Sequence, residues 1–139
     1  MNILEVHLHM NTKNTNTDIN NGGDYMTNVK FVTIKELANR ICKANFNRQI
    51  GFTFDSKEDI DNGIEPTGWY GIIMSNLFDG ESCIIGYYGD GITMAQQTWG
   101  EEDEVINFII TFFESEGVNF PDENTLVCVD ANEFDNALV

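Results

Sequence analysis

Three apolar segments between residues 69 and 99 dominate the hydrophobic pattern of this chain. They are rich in β-branched and aromatic residues, and Asp79-Gly80 and Gly89-Asp90-Gly91 separate them. An Asp-Gly pair between such segments favours a type I′ turn, because both central residues of that turn need a positive φ angle. The pattern therefore predicts a three-stranded antiparallel meander over residues 69–99.

The alternation of side chains predicts which face of the meander is buried. A two-residue turn at Asp79-Gly80 would place Met74 opposite Ile85 and Ile72 opposite Tyr87. Alternate residues of the first two strands then share one face, which is expected to form the core: Tyr70, Ile72, Met74, Cys83, Ile85 and Tyr87. The opposite face is smaller and mixed, and we expect the C-terminal segment around Phe134 and Leu138 to cover it.

Helices and shorter strands flank the meander. Thr33-Ile-Lys-Glu36 forms a capping box, and the apolar spacing after it predicts a helix over residues 34–45. Glu101–Glu104 opens a second helix, because acids in a first turn complement the helix dipole, and Gly117 is placed to end it. Short strands are predicted at 50–54 and 126–129, with Asp130 as the cap of a last helical turn.

These elements predict an α+β domain, in which an antiparallel sheet of about four to five strands packs with two main helices. Residues 29–139 are expected to form this single domain. Residues 1–28 are expected to be a flexible leader, since residues 11–28 are dominated by Asn, Thr, Asp and Gly.

The sequence also indicates where the protein acts. Met1–Met10 lacks the basic start and continuous apolar stretch of a secretory signal, and every apolar run is shorter than the roughly 20 residues of a membrane helix. Cys42, Cys83 and Cys128 form no CxxC pair, which suits a reducing compartment. We therefore expect a soluble cytoplasmic protein.

Motifs of catalysis and cofactor binding are absent from the sequence. It contains no GxGxxG, GxxxxGK[ST], GxSxG or HExxH motif, and both histidines, His7 and His9, lie in the leader. The acidic loop at 55–68 fails the EF-hand calcium pattern, because Ile60 would occupy a ligand position. We predict no metal, no cofactor and no enzymatic activity. The alternative of another class is a carboxylate-based hydrolase acting on carbohydrate, since the sequence does not give the separation of its acids in space.

Charge is distributed unevenly along the chain. The net charge is −16, and all seven Lys and Arg residues lie at or before Lys57. Residues 58–139 carry eighteen acids and no Lys, Arg or His, so this part alone has a charge of −18. Direct binding of nucleic acid by residues 58–139 is excluded, because phosphate contacts need cations. Self-repulsion at this density destabilises a fold, which favours a selected role for the charge in binding a protein with a basic groove.

In size, acidity and helix–meander–helix order, the chain resembles the small inhibitors carried by phages and mobile elements, namely anti-CRISPR proteins against Cas9-type nucleases and anti-restriction proteins. The resemblance covers about residues 29–117 and is organisational. It rests on the Thr33–Glu36 helix start, the Asp79-Gly80 turn and the Glu101–Glu104 helix start. It implies an acidic inhibitor that mimics nucleic acid and occupies the basic groove of a nuclease, such as a Cas effector or a restriction enzyme. An immunity protein that neutralises a toxin nuclease fits the same features.

We expect the partner to contact the acidic loops and the start of the second helix. The predicted contact residues are Glu65, Asp79, Glu81, Asp90, Glu101, Glu102, Asp103 and Glu104. Two copies of a chain with a charge of −16 repel each other, so the protein is also predicted to be a monomer.

Overall fold

A single antiparallel sheet with helices forms the fold. The computed structural model describes residues 28–45, 48–64, 66, 68–78, 80–87, 93–98 and 101–138, and for 76–78, 80–81 and 93–98 it describes the backbone alone. In chain order the elements are β1 (Val29–Thr33), α1 (Ile34–Lys43), β2 (Gln49–Thr53), α2 (Lys57–Asp61), β3 (Tyr70–Phe78), β4 (Gly80–Tyr87), β5 (Thr93–Thr98), α3 (Glu102–Ser115), β6 (Leu126–Asp130) and α4 (Ala131–Asp135).

The six strands pair in the order β1-β6-β2-β3-β4-β5, and every pairing is antiparallel. The predicted α+β class and the central meander are confirmed. The sheet has one strand more than the predicted four to five, because residues Val29–Thr33 form an edge strand. The last strand, β6, lies between β1 and β2, so the C-terminal part of the chain completes the sheet.

The register of the meander differs from the predicted one by two residues. Ile72 pairs with Ile85 and Met74 pairs with Cys83. One residue of the shift arises at the turn, where Phe78 pairs with Gly80, and the other arises from an irregularity between Ser75 and Phe78. A shift of two residues keeps every side chain on its face of the sheet. The predicted core face is therefore correct for its four central residues, whereas Tyr70 is half-buried and Tyr87 is exposed at the end of the sheet. The predicted pairs are wrong.

Helices α1 and α3 pack on that face of the sheet. Ile72, Met74, Cys83 and Ile85 are fully buried there. The ring of Phe52 lies at the centre of an aromatic cluster in the same core. Its centroid is 5.7 Å from that of Tyr70 and 5.9 Å from that of Phe113, and other rings of the cluster are Phe54, Tyr87 and Phe112.

The predicted cover of the opposite sheet face is wrong. Ile73 and Ile84 are buried on that face, but Phe134 belongs to the main core with α1 and α3. Arg40 of α1 holds α4 on the same face of the sheet as α1. Its Nη1 donates to the carbonyl oxygen of Phe134 (2.6 Å), and its guanidinium lies over the Phe134 ring. Leu138 is half-exposed.

The junction between β6 and α4 is held by two carboxylates. Pairing of β6 with β2 stops at Phe52, because the chain turns into α4 directly after Asp130. The N–H of Gly51 donates instead to Oε1 of Glu133 (2.7 Å). As predicted, Asp130 caps α4, and its Oδ1 accepts the N–H of Glu133 at 3.0 Å. A side chain thus completes the ladder where the strand ends.

The alternation of strand direction defines two ends of the sheet. At the α2 end, β2 leads into α2, β3 begins at Tyr70 and β6 begins at Leu126. At the α4 end, β6 leads into α4 and β4 begins at Gly80. Helix α3 follows β5 and therefore runs from the α4 end to the α2 end, where Glu116 meets Tyr70.

Candidate partner-binding surface

Contacts within the domain explain why most of the four acids at the start of α3 are present. The N–H of Glu101 donates to Oε1 of Glu104 (3.1 Å), so these two residues stabilise the first turn. Glu102 faces α1, where its Oε1 accepts from Nδ2 of Asn39 (3.2 Å). Asp103 is exposed, and within the described part of the chain no cation pairs with it. Of the four predicted contact residues here, Asp103 has the side chain most available to a partner.

Glu102 also acts on a neighbouring thiol. Burial and the negative charge of Glu102 raise the pKa of Cys42 to about 11. Burial likewise raises the pKa of Cys83, with a smaller contribution from Cys42. Both thiols therefore stay protonated at neutral pH, and they serve as small apolar side chains of the core.

The remaining predicted contact residues are only partly placed. Glu81 lies in β4, next to Ser82, which pairs with Thr98 three residues before Glu101. The backbone of Glu81 and the start of α3 thus share the α4 end. Glu65, Asp79 and Asp90 lie outside the described residues.

The α2 end gathers a second set of acids, which sequence reasoning missed as a group. Tyr70 donates to Oε1 of Glu116 (3.4 Å), and the N–H of Lys35 donates to the carbonyl oxygen of Glu123 (2.9 Å). These contacts tie the end of α3 and the turn before β6 to the same end of the sheet. The acids of this end are Glu58, Asp59, Asp61, Glu114, Glu116, Asp122 and Glu123.

Helix electrostatics do not explain the acids at the end of α3. Glu114 lies in the last turn of α3 and Glu116 is its C-cap, where the negative end of the helix dipole disfavours carboxylates. The last turn of α3 contains no basic residue. Lys57 pairs with Asp61 (2.8 Å) in α2, but Glu114 has no cationic partner among the residues that the structure describes. This charge is unfavourable for the helix that carries it.

Three of the cations are grouped around one pocket. Lys30, Lys35 and Arg40 line a pocket of about 550 Å³ at the β1 edge of the sheet, together with Phe134. The Nζ of Lys30 lies 4.7 Å from the centroid of the Phe134 ring and the Cζ of Arg40 lies 4.2 Å from it. Glu102 lines the same pocket.

This arrangement distinguishes the two acidic ends. Glu102 lines the same pocket as three cations, which weaken the negative potential at the start of α3. At the α2 end, Lys57 pairs with Asp61, and the backbone of Lys35 contacts that of Glu123. Seven acids with these two cations still favour the α2 end, over the predicted α3 start, as the candidate acidic surface.

The described residues contain no group of three or more His, Cys, Asp or Glu side chains that could hold a metal ion. None of the described helices combines the length and the apolar character that crossing a membrane requires. A scan against protein-family models and searches of curated proteins and of solved structures each return no match for this chain.

Proposed function

We propose that this protein is an acidic inhibitor that binds the basic nucleic-acid-binding groove of a nuclease or other DNA- or RNA-binding protein. In this proposal it acts as an anti-CRISPR or anti-restriction protein of a phage or mobile element, in the cytoplasm, and by binding alone. The observation that supports it best is the acidic end of α3, where Glu114 and Glu116 stand against the helix dipole. Such a placement becomes favourable when a cationic partner approaches.

The geometry of α3 suits this role. The helix has 14 residues, so acids at its two ends are separated by about 21 Å at 1.5 Å per residue. Along the axis of a DNA duplex, where each strand carries one phosphate per 3.4 Å, this length covers about six phosphates of one strand. In the proposed complex Glu114 and Glu116, at the α2 end of this helix, contact Lys and Arg side chains of a nucleic-acid groove, and electrostatic steering speeds the encounter.

Inhibition of purified nucleases tests the proposal. A guide-loaded Cas9-type nuclease and a restriction endonuclease are each mixed with the full chain, and DNA binding and cleavage are measured at increasing salt. We expect competition with DNA and an association rate that falls as salt rises, because exposed charges are screened over about 10 Å at 0.1 M salt. Absence of inhibition of both enzymes, or an association rate independent of salt, would reject the proposal for these targets.

A matched pair of double variants distinguishes the effect of the acids at the end of α3 from the effect of the total net charge. Glu114→Gln with Glu116→Gln removes two negative charges, whereas Asn107→Lys with Thr111→Lys adds two positive charges at exposed positions in the middle of α3. Both doubles change the net charge by +2. We expect the first double to weaken inhibition by at least roughly threefold and the second to weaken it less. Equal effects would show that only total charge matters.

The originally predicted surface is tested in the same assay. Glu102→Lys with Asp103→Lys should weaken inhibition if the start of α3 contacts the partner. Because Glu102 also contacts Asn39, the single variant Asp103→Lys is the cleaner probe. Inhibition equal to that of the wild type in both variants would remove the start of α3 from the interface.

A further inference from the structure

Phe120 has an unusual backbone and an unusual exposure. Its φ angle is +52°, in the left-handed region that bulky residues rarely adopt. Its side chain is 96% exposed, so the ring gains almost no packing energy in the free protein. Neither the backbone conformation nor burial explains a phenylalanine at this position.

The loop that carries Phe120 is firmly held on both sides. Before it, the N–H of Val118 donates to the carbonyl oxygen of Phe113 (3.0 Å), and Val118 packs against the core. After it, Pro121 is buried and the N–H of Asp122 donates to Oγ1 of Thr125 (2.8 Å). The ring is therefore presented to solvent by an ordered backbone, which lowers the entropy cost of binding through it.

The surroundings of Phe120 are acidic and partly apolar. Glu116, Asp122 and Glu123 lie within four residues of it along the chain and are exposed. The α2 end also carries half-exposed apolar side chains at Ile64 and Leu126, the second of which begins β6. An aromatic side chain surrounded by charged ones is the usual composition of an interface anchor and its polar rim.

We propose that Phe120 is the apolar anchor of the partner interface and that it inserts into an apolar pocket rimmed by Lys or Arg side chains. This inference rests on the proposed function, because the basic partner is the same protein. The acids beside Phe120 select a cationic rim. They also oppose insertion into an anionic membrane and pairing with a second copy of this chain, whose net charge is −16.

Site-specific photo-crosslinking of the full chain tests the inference. A benzophenone amino acid replaces Phe120 in one protein and Asn107, exposed in the middle of α3, in the control. Both proteins are irradiated in lysate of the cells in which the protein acts, and the adducts are identified by mass spectrometry. We expect one protein to crosslink at position 120 and not at position 107.

The identified protein is then purified, and its affinity for variants is measured. Phe120→Ala should lose at least roughly 30-fold in affinity, which is the lower limit for a hot-spot residue. Leu138→Ala is the matched control, because Leu138 is an exposed apolar residue on the α4 side of the chain. It should change the affinity by less than about threefold.

The outcomes separate this inference from the proposed function. No adduct specific to position 120, an adduct between two copies of the chain, or wild-type affinity of Phe120→Ala overturns the anchor. If Phe120→Ala loses affinity but the partner neither binds nucleic acid nor shows salt-dependent association, the anchor stands and the nucleic-acid mimic is rejected.

Discussion

Replacement of Phe120 by glycine is expected to stabilise the protein. For an L-residue the left-handed conformation costs about 1–2 kcal/mol, and glycine avoids this cost. Glycine also increases the conformational entropy of the unfolded chain, which destabilises by about 0.4–1 kcal/mol. Loss of the ring contributes little, because the side chain is 96% exposed. The difference predicts a stabilisation between about 0 and 1.6 kcal/mol for Phe120→Gly, with a midpoint of about 0.8 kcal/mol.

Urea denaturation followed by circular dichroism measures this change in the free energy of unfolding. In a thermal melt, the same stabilisation corresponds to a rise of roughly 2–5 °C in Tm for a domain of this size. Phe120→Ala is the control, since alanine removes the ring but keeps the unfavourable φ angle, and it should stay within about 0.5 kcal/mol of the wild type. If Phe120→Gly were less stable than Phe120→Ala, the backbone at position 120 would not be strained and the reasoning would be refuted.

Four further predictions concern the core and the helix junctions. Iodoacetamide should label Cys42 roughly 100-fold more slowly at neutral pH than a thiol with a pKa of 9, because its pKa is about 11, and Glu102→Gln should speed labelling by lowering that pKa. The pKa of the Cys42 thiol is higher in the folded state than in the unfolded state. Its contribution to the free energy of unfolding is therefore complete below pH 9 and is lost as the pH rises towards 11. Urea denaturation at several pH values across this range measures the loss. Glu133→Ala should cost about 1–3 kcal/mol by leaving the buried N–H of Gly51 unpaired, and Glu133→Gln should cost less because it keeps an acceptor. Phe52→Ala should cost about 3–5 kcal/mol in urea denaturation, since Phe52 is fully buried among other rings.

Features set by neighbouring residues were predictable from the sequence. The capping box of α1 is present, since Oγ1 of Thr33 accepts the N–H of Glu36 (3.0 Å) and Oε1 of Glu36 accepts the N–H of Thr33 (2.8 Å). Gly117 follows the end of α3 with φ +95°, as predicted for a residue that terminates a helix. In each case the interacting residues are only a few positions apart, so the local sequence pattern is sufficient to predict the contact.

Features that depend on distant pairing were not predictable. Strand β1 pairs with β6, about 100 residues later, and Phe31 pairs with Cys128. Val29–Thr33 does not alternate strictly between apolar and polar residues, so the segment gives no clear strand pattern without its partner. The register of the meander depends on an irregularity between Ser75 and Phe78, which no Asp-Gly rule contains.

The candidate surface shows the same limit. Sequence reasoning selected Glu101–Glu104, because four consecutive acids are conspicuous, and the structure accounts for most of them by helix capping and by contact with α1. The acids of the α2 end come from α2, from the end of α3 and from the turn before β6. Only the order of strands in the sheet brings these segments together, and composition does not contain that order.

Two costs in the free protein occur at the same end of the sheet. Carboxylates at Glu114 and Glu116 oppose the dipole of α3, and Phe120 combines a left-handed backbone with an exposed ring. Each lowers the stability of the isolated domain, although the hydroxyl of Tyr70 donates to Glu116 (3.4 Å) and offsets part of the cost at that position. Both become favourable against one kind of surface, an apolar pocket with a cationic rim. A sequence selected for stability alone would place Lys at the end of α3 and Gly at position 120, and the proposed partner contact gives a reason for the residues that occupy these positions instead.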